Sequence, residues 1–83
     1  MNASTVSRQL RRAGFRPLYA ETIWMREGIR VNGNRSGDVF VVADYDSDRM
    51  AARTIHELFD TLDELGFAVK IVSPHVLRVS EVV

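Results

Sequence analysis

Asp44, Asp46 and Asp48 are the densest set of potential ligand side chains in this sequence. Carboxylates at D-x-D-x-D spacing open a calcium loop, where a hard cation gathers oxygen donors from alternate residues. The positions that complete such a loop are filled otherwise: Arg49 stands at the glycine position and Ile55 at the bidentate glutamate position. Asp44-Tyr45-Asp46-Ser47-Asp48 therefore reads as a strand end followed by a helix N-terminus. Asp46 or Ser47 would cap that helix, with Asp48 beside the positive end of its dipole. Of the two histidines, His56 is expected to face solvent and to meet Asp60 one turn on, while His75 follows Pro74 in a turn. No nucleophile elbow, paired-histidine zinc motif or phosphate loop is present, and there are no cysteines. The expectation is a non-enzyme with no catalytic residues, metal or cofactor.

Residues suited to binding are more prominent. Formal charge sums to zero but is segregated along the chain. Residues 1–37 carry seven arginines against Glu21 and Glu27, a balance of +5. Residues 38–66 carry eight acids against Arg49 and Arg53, a balance of −6, and the remainder is +1. Arg8, Gln9, Arg11, Arg12 and Arg16 cluster near the start, a set suited to phosphates or to an acidic partner.

Two helices position these groups. The first is expected over Thr5 to about Ala13, capped by Ser4, with Val6, Leu10 and Ala13 on one stripe. The second is expected over Asp48 to Leu65, with Ala51, Ile55, Leu58, Phe59, Leu62 and Leu65 facing a core. LRRAGF and LDELGF end both helices alike: a glycine takes the left-handed position, and the following Phe15 or Phe67 folds back onto Leu10 or Leu62. Strands are expected at Thr22–Arg26, Ile29–Asn32, Asp38–Asp44, Ala68–Val72 and Val76–Val82. Glu27-Gly28 would form a two-residue hairpin turn between the first two, and residues 32–37 a loop.

Alternation assigns the faces of the sheet. Ile23, Met25, Ile29, Val31, Val39, Val41, Val69, Ile71, Leu77 and Val79 would face the helices. Trp24, Arg26, Arg30, Phe40, Val42, Lys70 and Arg78 would lie on the other face. Two aromatics with basic neighbours on an open sheet suit contact with a partner or the stacking of bases. The candidate partner-binding residues are Trp24, Phe40, Arg26, Arg30 and Val42.

Eighty-three residues, 46% hydrophobic and 27% charged, fit one globular domain and exclude a disordered tail, a collagen-like repeat or a basic coat protein. No apolar run approaches the roughly 18 residues of a membrane span, and MNASTVSRQL lacks the hydrophobic stretch of a signal peptide. A domain this small, without disulfides, has little stability to spare; its margin must come from one well-filled core or from oligomerisation, and a marginal monomer core that dimerises is expected.

STVSRQLRRAGF resembles the recognition helix of helix-turn-helix proteins, where a Ser/Thr-rich start meets phosphates and Arg or Gln reaches bases. That resemblance implies DNA contact through Arg8, Gln9, Arg11 and Arg12. The helix-Gly-Phe opening and the element order resemble double-stranded-RNA-binding domains and HicA-type mRNA-cleaving toxins. The sequence departs from both at their functional positions. His56 and His75 lie in or after the second helix, and that helix opens on Asp44, Asp46 and Asp48 where the RNA-binding domains place lysines. Ten arginines to one lysine, with this size, resembles the small accessory proteins of actinobacterial phages (mycobacteriophage-like). The resemblance implies a cytoplasmic location in a bacterial host cell.

The expected fold is α+β, one domain over residues 1–83 in the order α-β-β-β-α-β-β, with an antiparallel or mixed sheet and both helices on one face. The expected function is a non-enzymatic binding or regulatory module acting by protein–protein contact, with a host protein or a second copy as partner. In the expected homo-oligomer, the basic first helix meets the acidic second helix of a neighbour while Trp24 and Phe40 add apolar area. The alternative is nucleic-acid binding through Arg8, Gln9, Arg11, Arg12 and Arg16 together with the aromatic face. No membrane contact is expected.

Overall fold

A computed structural model of the protein describes residues 2–18, 27–34 and 37–81. Helix α1 spans Ala3–Arg12 and buries Val6 and Leu10. It starts earlier than the sequence suggests. Asn2, in extended conformation, accepts the Thr5 N–H at 2.9 Å and the Thr5 hydroxyl at 3.1 Å through Oδ1. Ser4, the expected cap, lies inside the helix, because the carboxamide of Asn2 satisfies an orphan donor from one residue outside it. Helix α2 spans Asp48–Glu64 and is capped by Ser47, whose Oγ accepts the Met50 N–H at 3.3 Å.

Both helices end in the expected device. Gly14 and Gly66 have φ of +100° and +94°, which an L side chain adopts only under strain. Phe15 N–H donates to the Leu10 carbonyl at 3.0 Å, and Phe67 N–H to the Leu62 carbonyl at 3.1 Å. These bonds, with those from Gly14 to Arg11 and from Gly66 to Asp63, complete a Schellman motif at each end. Each motif folds a phenyl ring against the core.

Strands β1 (Gly28–Gly33), β2 (Val39–Asp44), β3 (Ala68–Ser73) and β4 (Val76–Ser80) form one antiparallel sheet in the order β1-β2-β4-β3. The fold is α+β, and the described residues run α-β-β-α-β-β. The expected strand Thr22–Arg26 lies outside the described residues, as does Val82.

The expected turn at Glu27-Gly28 is corrected in part. Gly28 is the first residue of β1, paired with Asp44. Leu18 forms a parallel bridge to Arg30, and its N–H donates to the Ile29 carbonyl at 2.8 Å. A two-residue hairpin would pair Arg26 with Ile29 along that same edge of β1. Glycine suits position 28 for another reason. Its φ of +154° is one that L side chains rarely adopt, and an added Cβ would also stand 2.8 Å from Leu18 Cδ1, which would have to shift.

Alternation sets the two faces as expected. Ile29, Val39, Val41, Ala43, Leu77 and Val79 meet Val6 and Leu10 of α1 and Ala51, Ile55, Leu58 and Leu62 of α2 in one buried cluster. Leu10, Leu58, Leu62 and Leu77 are fully buried, each worth about 1.5–3 kcal/mol relative to exposure. Ile71 shares this parity, being paired with Leu77, yet is 45% exposed. Its strand is the sheet edge, where the core has thinned.

Candidate functional site

The carboxylates and histidines take separate partners. Asp44 pairs with Arg30, Oδ2 to Nε at 3.1 Å. The Asp46 N–H donates to Glu27 Oε1 at 2.7 Å, tying the start of β1 to the loop before α2. Asp48 Oδ1 lies 3.4 Å from His75 Nε2. Among the described residues, no three His, Asp or Glu side chains are placed to hold a metal ion. His56 is exposed, and the i,i+4 pair formed beside it is Arg53–Glu57 at 3.6 Å.

His75 is half-buried rather than a plain surface residue. Its Nδ1 lies 3.1 Å from the Ala43 carbonyl, and its own carbonyl accepts the Ala43 N–H at 2.8 Å. The ring therefore joins the β3–β4 turn to the end of β2 and the first turn of α2. Both ring nitrogens face oxygens, and the His75 backbone N–H donates to Ser73 Oγ at 3.4 Å.

Among the described residues, the surface this arrangement leaves uncovered is the second face of the sheet. Register sets Asn32, Phe40, Arg78 and Lys70 in one row across all four strands. The next row holds Arg30, Val42 and Val76. Phe40, Val42 and Val76 are half-buried and form an apolar strip at the centre of a face that no described helix covers. Charges of both signs frame it. Arg30, with 19% of its side chain exposed, lies against Asp44 at one end. Asp38 accepts the Ser80 hydroxyl at 3.2 Å at the other, and Arg78 and Lys70 extend to the β3 edge.

Of the residues singled out from sequence, Arg30, Phe40 and Val42 are thus brought together with Lys70 and Arg78. Trp24 and Arg26 lie outside the described residues. Val76, Asp38 and Asp44 were not anticipated on this face. Alternation from Leu77 could have placed Val76 there, but its pairing with Val42 depends on strand order.

The basic set lies elsewhere. Arg8, Arg11, Arg12 and Arg16 are exposed and Gln9 is half-buried. Val6 and Leu10 fix α1 on the helix-covered side of the sheet. Arg11, Gly14, Phe15, Arg16 and Pro17 line an open cleft where α1 ends. One correction follows for the expected homotypic contact. The charged helices and Phe40 occupy opposite sides of the sheet, so a single contact cannot use both. The same separation divides the basic helix from the aromatic face in any nucleic-acid contact.

Among the described residues, no helix is long and apolar enough to cross a membrane. The chain matches no family model, no curated protein and no solved structure.

Proposed function

We propose that the protein is a non-enzymatic binding module that acts by protein–protein contact through the helix-free face of its sheet, with a second copy as the first partner to test. The observation that carries this is the Phe40–Val42–Val76 strip, apolar, central and with no helix above it among the described residues. Two sheets packed face to face bury such strips against each other at about 10 Å separation. Asp38 and Asp44 at the ends of the strip disfavour a phosphate track, while Arg78 and Lys70 beside them suit a partner that also carries both signs. A formal charge of zero leaves no net repulsion between copies. Composition and size support a place among phage accessory proteins that act in the cytoplasm of a bacterial host, where a host protein is the alternative occupant.

Sedimentation equilibrium of the native chain and Phe40→Asp tests this. The native chain should gain mass with concentration, and Phe40→Asp should weaken association about 30-fold or more, the scale of a lost hot-spot aromatic. Identical behaviour of the two proteins would remove the face as the contact.

Nucleic-acid binding is the second reading, favoured by four exposed arginines, Arg8, Arg11, Arg12 and Arg16, on and just after α1. It requires a retarded band with mixed DNA and RNA at low salt, lost steeply as salt rises. No band at micromolar protein retires it.

A further inference from the structure

The chain has three asparagines, and their side chains are held differently. Asn2 caps α1, its Oδ1 accepting the Thr5 N–H at 2.9 Å and the Thr5 hydroxyl at 3.1 Å. Asn34 Oδ1 accepts the Asp38 N–H at 3.1 Å, and the Asn34 carbonyl accepts the Gly37 N–H at 3.3 Å. Asn32 is exposed on the helix-free face, and no hydrogen bond holds its carboxamide among the described residues. It is also the one asparagine followed by glycine: Asn2 precedes Ala3 and Asn34 precedes Arg35. A free carboxamide beside a glycine nitrogen is a pair that can react within the chain.

Gly33 is the last residue of β1 and pairs with Val39. Bonded and non-bonded pairs alternate along an antiparallel ladder. The Asn34 N–H donates to the Asp38 carbonyl at 3.1 Å, and the Ile29 carbonyl turns outward to the Leu18 N–H. Both bonds fix the same phase: Asn32 exchanges bonds with Phe40, and the Gly33 N–H is directed away from β2. That nitrogen is therefore not tied to β2. The fold does not demand glycine at this position either. Gly33 is absent from the positive-φ glycines, and among the described residues an added Cβ would meet nothing nearer than Ala3, at 3.6 Å. What glycine removes is a side chain that would crowd the nitrogen as it attacks.

We propose that Asn32 is a site of spontaneous covalent modification, closing on Gly33 and reopening as a carboxylate on the helix-free face. The Gly33 nitrogen gives its proton to solvent and bonds to Asn32 Cγ, and the side-chain nitrogen leaves as ammonia. Attack within one chain, through a five-membered ring, has the proximity that a bimolecular reaction lacks. Water then opens the cyclic imide. Cleavage between nitrogen and Cγ leaves aspartate, and cleavage between nitrogen and the main-chain carbonyl carbon leaves isoaspartate, with one more atom in the backbone. The sum is asparagine plus water giving acid plus ammonia, with no other reactant. Because β1 ends at Gly33, the ring can close by opening the bonds between Asn34 and Asp38 and from Gly37 to Asn34, without unpairing the middle of the strand. The product takes the formal charge from 0 to −1 and sets the new carboxylate in the row of Phe40, Arg78 and Lys70. The chemistry is independent of what binds that face.

Mass spectrometry of the native chain after incubation in mildly alkaline buffer tests this, with fragment ions assigning each conversion and chromatography separating isoaspartate from aspartate. Conversion at Asn32 should run at least about tenfold faster than at Asn34 or Asn2, a barrier lower by about 1.4 kcal/mol or more. It should quicken as pH rises, because the attacking nitrogen must lose its proton, and it should yield both acids. Gly33→Ala, which the space beside Ala3 admits, should slow conversion about tenfold while the circular dichroism spectrum stays native. Equal rates at Asn32 and Asn34 in the folded chain overturn the assignment of the site. Aspartate as the sole product, or an unchanged rate in folded Gly33→Ala, overturns ring closure on Gly33. The same chain in urea supplies the reference for the fold. Conversion confined to the unfolded chain would show that β1 holds the pair apart, and the inference falls.

Discussion

Val41 and Phe40 are neighbours in sequence on opposite faces of the sheet, so the same substitution should have opposite consequences at the two positions. Val41 is fully buried on the central strand β2, among residues of both helices. Val41→Asp forfeits about 1.5–3 kcal/mol of apolar burial. It also places an unpaired carboxylate in the core at about 3–5 kcal/mol. A chain of 83 residues has roughly 4–12 kcal/mol of total stability at the usual 0.05–0.15 kcal/mol per residue. The combined loss is therefore comparable to the whole. Phe40 is half-buried on the open face, where a carboxylate keeps its water. Phe40→Asp should cost no more than about 1–2 kcal/mol, mainly the partial burial of the ring. Urea unfolding followed by far-UV circular dichroism gives both numbers. Val41→Asp should be unfolded or nearly so without denaturant, while Phe40→Asp keeps a cooperative transition. A folded Val41→Asp, or Phe40→Asp as damaging as its neighbour, would refute the assignment of faces.

Other expectations concern the devices that hold the sheet in place. Gly66→Ala should cost about 1 kcal/mol and Gly66→Asn less, because position 66 has φ +94° and asparagine tolerates the left-handed region better than alanine; the midpoint of thermal unfolding reads this. His75→Ala should cost about 1 kcal/mol and raise amide exchange at Ala43, whereas Asp48→Ala should change exchange there little, since the stronger contact of the ring is to the Ala43 carbonyl. Association through the Phe40 strip should hold or tighten as sodium chloride rises from 0.05 to about 0.5 M, because exposed charges are screened and apolar contact is not; tenfold weakening would indicate charge-driven binding.

The sequence made some of these features legible and hid others for identifiable reasons. Alternation through Asp38–Asp44 fixed the two faces because a strand side chain has only two directions. The repeated Leu-x-x-x-Gly-Phe endings were legible because a Schellman motif is complete within six residues. The N-terminal cap was less so, since Asn2, Ser4 and Thr5 can all accept, and the choice depends on where the chain turns into the helix. Glu27-Gly28 carries the local signature of a turn, but glycine at 28 answers to a φ of +154° at the start of β1 and to the side chain of Leu18, ten residues earlier. His75 meets Ala43 across 32 positions, and Ile71 is exposed because β3 falls at the sheet edge. Strand order is a property of the whole fold. The apolar strip followed the same division: Phe40 and Val42 came from alternation, and Val76 joined them only through the β2–β4 register.

The helix-free face can be tested most directly by attenuation of backbone amide signals with a soluble paramagnetic probe at low and high protein concentration. The account predicts that Phe40, Val42, Val76 and Arg78 become protected as concentration rises, while Arg8 and Arg12 on α1 and Glu57 and Asp60 on α2 remain as attenuated as before. Unchanged attenuation across residues 40, 42, 76 and 78 at millimolar protein, or protection confined to the two helices, would contradict it.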